Sequence, residues 1–185
     1  MRAAPTLETA RLTLRPFRES DLDAQDAIMR DPETVRYLGG SAMTREETWR
    51  RMLCAPGLWT MLGYGYWAVE RRGDGRFIGQ VGFADFKRDV EPSIEGIPEM
   101  GWIFTSGVGG QGYAAEACAA ALAWAEDALD AGEYTAIIAP GNVRSIRLAE
   151  RCGFGGRQET FYRGEQILIF RRPVSGPRNS ATAAP

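Results

Sequence analysis

The stretch Val108-Gly109-Gly110-Gln111-Gly112-Tyr113-Ala114-Ala115-Glu116 lies between an apolar run, Met100 to Phe104, and an alanine-rich segment, Tyr113 to Ala131. Glycine fills three of the four positions from Gly109 to Gly112, so a ligand can approach the backbone with no side chain in the way. At the mouth of a helix such a turn aims unpaired N–H groups outward, and the helix dipole adds partial positive charge. That is a recipe for holding an anion, most often a phosphate. A plain flexible connection between strand and helix is the alternative at this point.

Downstream of the turn, Ala114, Cys118, Ala121, Leu122, Ala125 and Leu129 recur at helical spacing, with Glu126, Asp127 and Asp130 off that face. Gly132 ends the helix. Tyr134 to Ala139 is a short apolar strand, expected to be covered on both faces. Asn142 caps a further helix whose inner side carries Ile146, Ala149 and Cys152, and Gly153 suits its left-handed end. Gln158 to Tyr162 and Gln166 to Arg171 form a hairpin around Arg163-Gly164.

Upstream, Glu99 to Thr105 is a strand and the polar run Asp89 to Pro98 a loop. Tyr64 to Val69 and Phe77 to Phe86 pair across Gly73-Asp74-Gly75. Thr9 to Phe17 suits a half-buried strand stopped by Pro16. Ser20 reads as the cap of a helix reaching Met29, Asp31-Pro32 opens a short one, and Thr44 with Glu47 boxes a third through about Leu53. Strand, turn, helix, strand, helix in the middle implies parallel pairing there, with hairpins on either side. The fold class is therefore α/β, or mixed α+β. Residues 1–173 are expected to form one domain, and 174–185, rich in Pro, Ser, Ala and Gly, a disordered tail.

A formal charge of −2 argues against a nucleic-acid binder, and no apolar run is long enough to cross a bilayer. The three cysteines, Cys54, Cys118 and Cys152, are too scattered for a disulfide framework and read as buried apolar residues in a reducing compartment, by default the cytoplasm. Histidine is absent, which removes Ser-His-Asp and Cys-His catalysis and most zinc chemistry; no metal is expected. The Gly-Lys-Ser/Thr ending of a nucleotide-binding P-loop is absent too, since Tyr113-Ala114 follow Gly112.

Six blocks in order, LETARLTLRPF (Leu7 to Phe17), GYGYWAVE, FIGQVGF, EMGWIF (Glu99 to Phe104), GGQGYAAEA (Gly109 to Ala117) and NVRSIRLAERCGF (Asn142 to Phe154), resemble a GNAT-type N-acetyltransferase. The likeness covers about residues 7 to 173 and is strongest to the branch acting on ribosomal-protein N-termini. It implies a central mixed, mostly antiparallel sheet with parallel pairing at the cofactor cleft and helices on both faces. It also implies acetyl-CoA as cosubstrate and transfer of its acetyl group to a primary amine, on a protein N-terminus or a small molecule, by direct attack in a ternary complex. A homodimer is left open. The family's phosphate motif falls on Gly109, Gly110, Gln111, Gly112, Tyr113 and Ala114, with Gly109 in place of the usual Gln or Arg.

By the same resemblance the backbone N–H of Ile103 would hold the acetyl carbonyl, with Phe104 and Thr105 along the pantetheine arm. Glu99 matches a general-base glutamate, and Asn142 would sit beside the cofactor. Ser145 would steady the leaving thiolate. The tyrosine that many members place four residues before the Gly-Phe pair is Ala149 here. That absence leaves Ser145, Tyr113, Tyr162 or water as proton donor, or no donor, because a thiol with pKa about 8.5 leaves readily. With Gly109 it also admits a non-catalytic acyl-CoA-binding relative. Tyr37, Trp49, Trp59, Tyr64 and Trp67 are candidates for the acceptor side, although such residues are more often core. The acids Asp85, Asp89, Glu91, Glu95 and Glu99 either favour a cationic amine or form a solvated loop.

Overall fold

Short turns make two hairpins in the first half of the chain, and three helices intervene between them. The structure, a computed structural model, describes residues 3–174. The expected tail, 174–185, lies outside the described residues apart from Val174. Strands β1 (Leu7–Glu8), β2 (Leu12–Arg15), β3 (Tyr66–Arg71), β4 (Arg76–Ala84) and β5 (Glu99–Phe104) pair antiparallel in sequence order. β6 (Glu133–Ile138) then joins β5 in parallel, and β8 (Glu165–Pro173) lies between β6 and β7 (Gly155–Tyr162), completing an eight-stranded sheet. The helices are α1 (Leu22–Arg30), α2 (Pro32–Val35), α3 (Arg45–Leu62), α4 (Tyr113–Ala128) and α5 (Val143–Arg151).

Two faces of the sheet are covered by different helices. Leu12, Leu14, Trp67, Phe83 and Tyr134 pack with Ala117, Cys118, Ala121 and Ala125 of α4, whose small side chains let the helix lie close. On the opposite face Ala68, Phe77 and Ile103 meet Ile28 and Met29 of α1. The loop before β5 folds Val90 and Ile94 onto Ile167 and Ile169 of β8. Among the described residues no helix is long and apolar enough to cross a membrane.

Three local expectations need correction. A 3-10 turn, Glu19–Asp21, precedes α1, and Asp21 rather than Ser20 accepts the Arg18 N–H, at 2.8 Å. Asp21 is drawn there by Arg15, which donates to it at 2.7 and 2.8 Å in a buried pair. Helix α3 does not stop near Leu53 but runs through Pro56 to Leu62. Pro56 removes one helical hydrogen bond, yet Met52, Ala55 and Trp59 are all buried on one side, and Gly63 closes the helix with φ +78°. Cys54 is exposed on α3 rather than buried, because its side of the helix is not the packed one.

Trp59, Trp67 and Trp124 meet edge to face, with ring centroids 4.7, 5.0 and 5.2 Å apart. They are core, not acceptor wall. Trp67 is fully buried at the hub and donates through Nε1 to Pro5 O at 2.8 Å. Trp67→Ala should cost about 3–5 kcal/mol in a urea titration, by lost burial plus a cavity.

The glycine turn before α4 is tied to the first hairpin. Arg11 donates its N–H and Nε to Glu116 at 2.9 and 2.7 Å and its Nη1 to Gln111 O at 2.9 Å. Thr9 Oγ1 donates to the same carboxylate at 2.6 Å, and the Arg11 guanidinium lies 4.4 Å over the Tyr113 ring. Burial pushes the Glu116 carboxyl up, but the Thr9 and Arg11 donors outweigh it and hold the group below the ordinary 4.5. A depressed native value stabilises fully above the unfolded-state pKa and is lost as pH falls through the native one. Glu116→Gln should therefore destabilise at pH 7, and the gap to the parent protein should close as denaturation is repeated below about pH 4.5.

Candidate active site

Strand β5 has two edges with different fates. The Thr105 N–H donates to Ile78 O at 3.0 Å, so odd positions of β5 present their backbone groups to β4. Even positions face β6. There the pairing is a single rung, Glu99 opposite Thr135, with the Thr135 N–H donating to Pro98 O at 3.1 Å. Beyond that rung β6 continues its pairing with β8 alone, and the two strands part. The Trp102 and Phe104 amides therefore face an open crevice. Ile103, expected to offer its N–H there, is an odd position and turns it to Gln80 of β4. The ladder's alternation decides this, and a motif read alone does not carry it.

The crevice is a cavity of about 450 Å³. Its floor is β5 from Glu99 to Ile103, one wall is Ile137 to Ala139 with Asn142 and Ser145, and the other is α3 with Arg51 and Cys54. Tyr37 and Tyr162 stand at its rim.

Glu99 is buried at one end, and both its oxygens accept from Arg88, at 2.6 Å from Nε and 2.9 Å from Nη2. Burial would loosen the Arg88 proton, but Glu99 holds it more tightly than usual. The Arg88 guanidinium also lies 4.9 Å over Phe86 and 5.1 Å over Tyr162. Tyr66 reaches the same place, its hydroxyl against Gly101, and burial followed by the Glu99 charge pushes its pKa far up. Tyr66 is a neutral phenol there.

On the opposite wall Asn142 caps α5, its Oδ1 accepting the Ser145 N–H at 3.1 Å. Trp102 Nε1 donates to Ser145 Oγ at 3.3 Å, bridging β5 and α5. The serine oxygen is thus an acceptor on one side, and its own proton is free to point into the crevice. Ala149 is fully buried in the main core, one turn further along α5.

Past Phe104 and Thr105 the chain makes a 3-10 turn, Ser106–Val108, and enters the glycines. Gly110 and Gly112 have φ of +76° and +81°, conformations that an L side chain resists. Within the described residues the amides of Gly110, Gly112, Tyr113, Ala114 and Ala115 have no hydrogen-bond partner. They converge at the positive end of a 16-residue helix. Gly109 and Gln111 instead donate within the turn, to Ser106 O and Val108 O.

The structure thus gathers Glu99, Ile103, Asn142 and Ser145 around one cavity, and sets Gly109 to Ala114 beyond its end. Tyr113 turns its ring to Arg11, away from the cavity. Missed by sequence reasoning were Arg51, Arg88, Tyr66, Gln80 and Arg163. Gln80 alone carries a signal, as the one polar side chain in FIGQVGF; it accepts from buried Gln25 at 3.3 Å.

Comparison with known proteins bears on this geometry. A family model described as an acetyltransferase (GNAT) domain matches residues 11–155. The uncharacterised protein YkkB of Bacillus subtilis is 32% identical over 181 residues, covering 93% of this chain and 98% of its own. A structure described as a GnaT-family acetyltransferase from Bordetella pertussis superposes with a TM-score of 0.80 at 30% identity, over 91% of this chain and 99% of that one. RimL, a ribosomal L7/L12 N-acetyltransferase solved with coenzyme A, shares the fold (TM-score 0.73, 17% identity, 92% and 98% coverage). With a sheet parted beside a turn of unpartnered amides and a family match across most of its length, the chain belongs to the GNAT acetyltransferase family.

Proposed function

We propose that this acetyltransferase moves the acetyl group of acetyl-CoA to a primary amine, by direct attack in a ternary complex. The observation that carries the proposal is the row of unpartnered amides, Gly110 and Gly112 to Ala115 at the helix mouth and Trp102 with Phe104 along the parted strand. The first group suits a pyrophosphate. The second suits the amide-bearing pantetheine arm, which can pair with a free strand edge as another strand would. Gly109, Gln111, Thr105 and Ile103 then shape the walls of that channel, and Asn142 lies beside it.

The amine nitrogen attacks the thioester carbonyl carbon, so that a C–N bond forms and the C–S bond breaks. The developing oxyanion is held by the Trp102 N–H, which replaces Ile103 in this role. The amine's proton passes to the Glu99 carboxylate. Glu99 and Trp102 are three residues apart, about 10 Å along a strand, so water carries the proton between them. Ser145 donates to the departing sulfur, and Ala149 needs no tyrosine's help because the thiolate leaves easily.

Gly112→Glu should abolish CoA binding in calorimetry while the circular dichroism spectrum persists. Glu99→Gln should lower kcat at least tenfold and flatten the acid limb of the pH–rate profile; an unchanged profile would remove Glu99 as base. Ser145→Ala should cost less than about tenfold in kcat.

A further inference from the structure

Three guanidiniums and one carboxylate line the cavity, in a chain whose formal charge is −2. Both oxygens of the carboxylate, Glu99, accept from Arg88, so its charge is already paired with one of the three guanidiniums. Arg51, on α3, and Arg163, at the β7–β8 turn, form no ion pair among the described residues; both are exposed, and both line the cavity. The acids of the preceding loop do not offset them. Asp85 is held by Lys87 at 2.6 Å and by the Gly96 N–H at 3.0 Å, Glu95 approaches the same lysine at 3.4 Å, and neither lines the cavity. The acidic run therefore does not draw a cation into the site. The Tyr66 hydroxyl lies close enough to Glu99, Arg51 and Arg88 for all three charges to act on it.

A second ammonium on the acceptor would have to sit beside two guanidiniums that have no counter-ion, and like charges repel. A carboxylate would find the planar forks that bind it best. We infer that the acceptor is an amine that also bears a carboxylate, held by Arg51 and Arg163 while its nitrogen faces the thioester. Such chemistry is found in a free amino acid and in a peptide with an acidic N-terminus. The inference rests on the acetyl-transfer reading given above.

Thiol release from acetyl-CoA, measured against matched acceptors, tests it. The panel sets glycine against glycinamide, glutamate against its diamide, and a tetrapeptide opening on two acidic residues against the same peptide with those acids amidated. Spermidine and kanamycin supply the cationic arm. Each acid should exceed its amide at least tenfold in kcat/KM, and Arg51→Gln/Arg163→Gln should collapse that ratio through KM rather than kcat. Preference for the free amino acids or for the peptide identifies the source. Amides or polyamines used as well as the acids would overturn the inference and leave acetyl transfer standing, as would a ratio unmoved by the double substitution. Silence with every amine, despite bound acetyl-CoA, would overturn both.

Discussion

One hydrogen-bonded rung, Glu99 against Thr135, is the last place where β5 and β6 hold together. A sheet that stayed paired would satisfy every backbone group and leave no room for a ligand. By parting, it leaves the Trp102 and Phe104 amides without a strand partner, a cost that folded proteins seldom bear without a reason. The rest of the molecule keeps the opening in register. Strand β8 holds the far side of β6, and α4 locks β2, β4 and β5 from one face. The Arg11 brace sets the glycine turn at the end of the parted strand.

Electrostatics divides the crevice into two ends. At the turn, positive potential comes from backbone amides and a helix dipole, suited to a phosphate and indifferent to side-chain identity. Gly109, whose N–H donates within the turn, is not one of the unpartnered amides. At the other end the charge comes from arginines, and Glu99 is kept from dominating by Arg88. A buried ion pair of this geometry contributes little net stability against an apolar substitute. Its presence beside the β5–β6 cavity is better understood as positioning a carboxylate than as holding the fold.

Local signals in the chain were read well where one segment contains its own cause. The Thr44–Glu47 capping box, the Asp31-Pro32 start, the Asn142 cap and the left-handed Gly153 all appear as expected, because each concerns neighbours within a few residues. The glycine turn and its amides belong to the same class. Errors arose where a distant contact outvoted the local one. Ser20 yielded to Asp21 because Arg15 reaches it, and α3 runs on past Leu53 because Trp59 packs against Trp67 and Trp124. Ile103 faces β4 because the β4–β5 ladder sets its parity.

What the amino-acid order determined by itself was the sequence of elements, the family and the place of the glycine turn, since periodicity, caps and glycines act over a turn or a strand. Only the tertiary structure decided which amides of β5 are free and which charges share the cleft. Arg51, Arg88 and Arg163 lie on three separate segments, and no pattern along the chain announces that folding will place them around one cavity. Charge in a site is a property of distance through space, and distance along the chain does not report it.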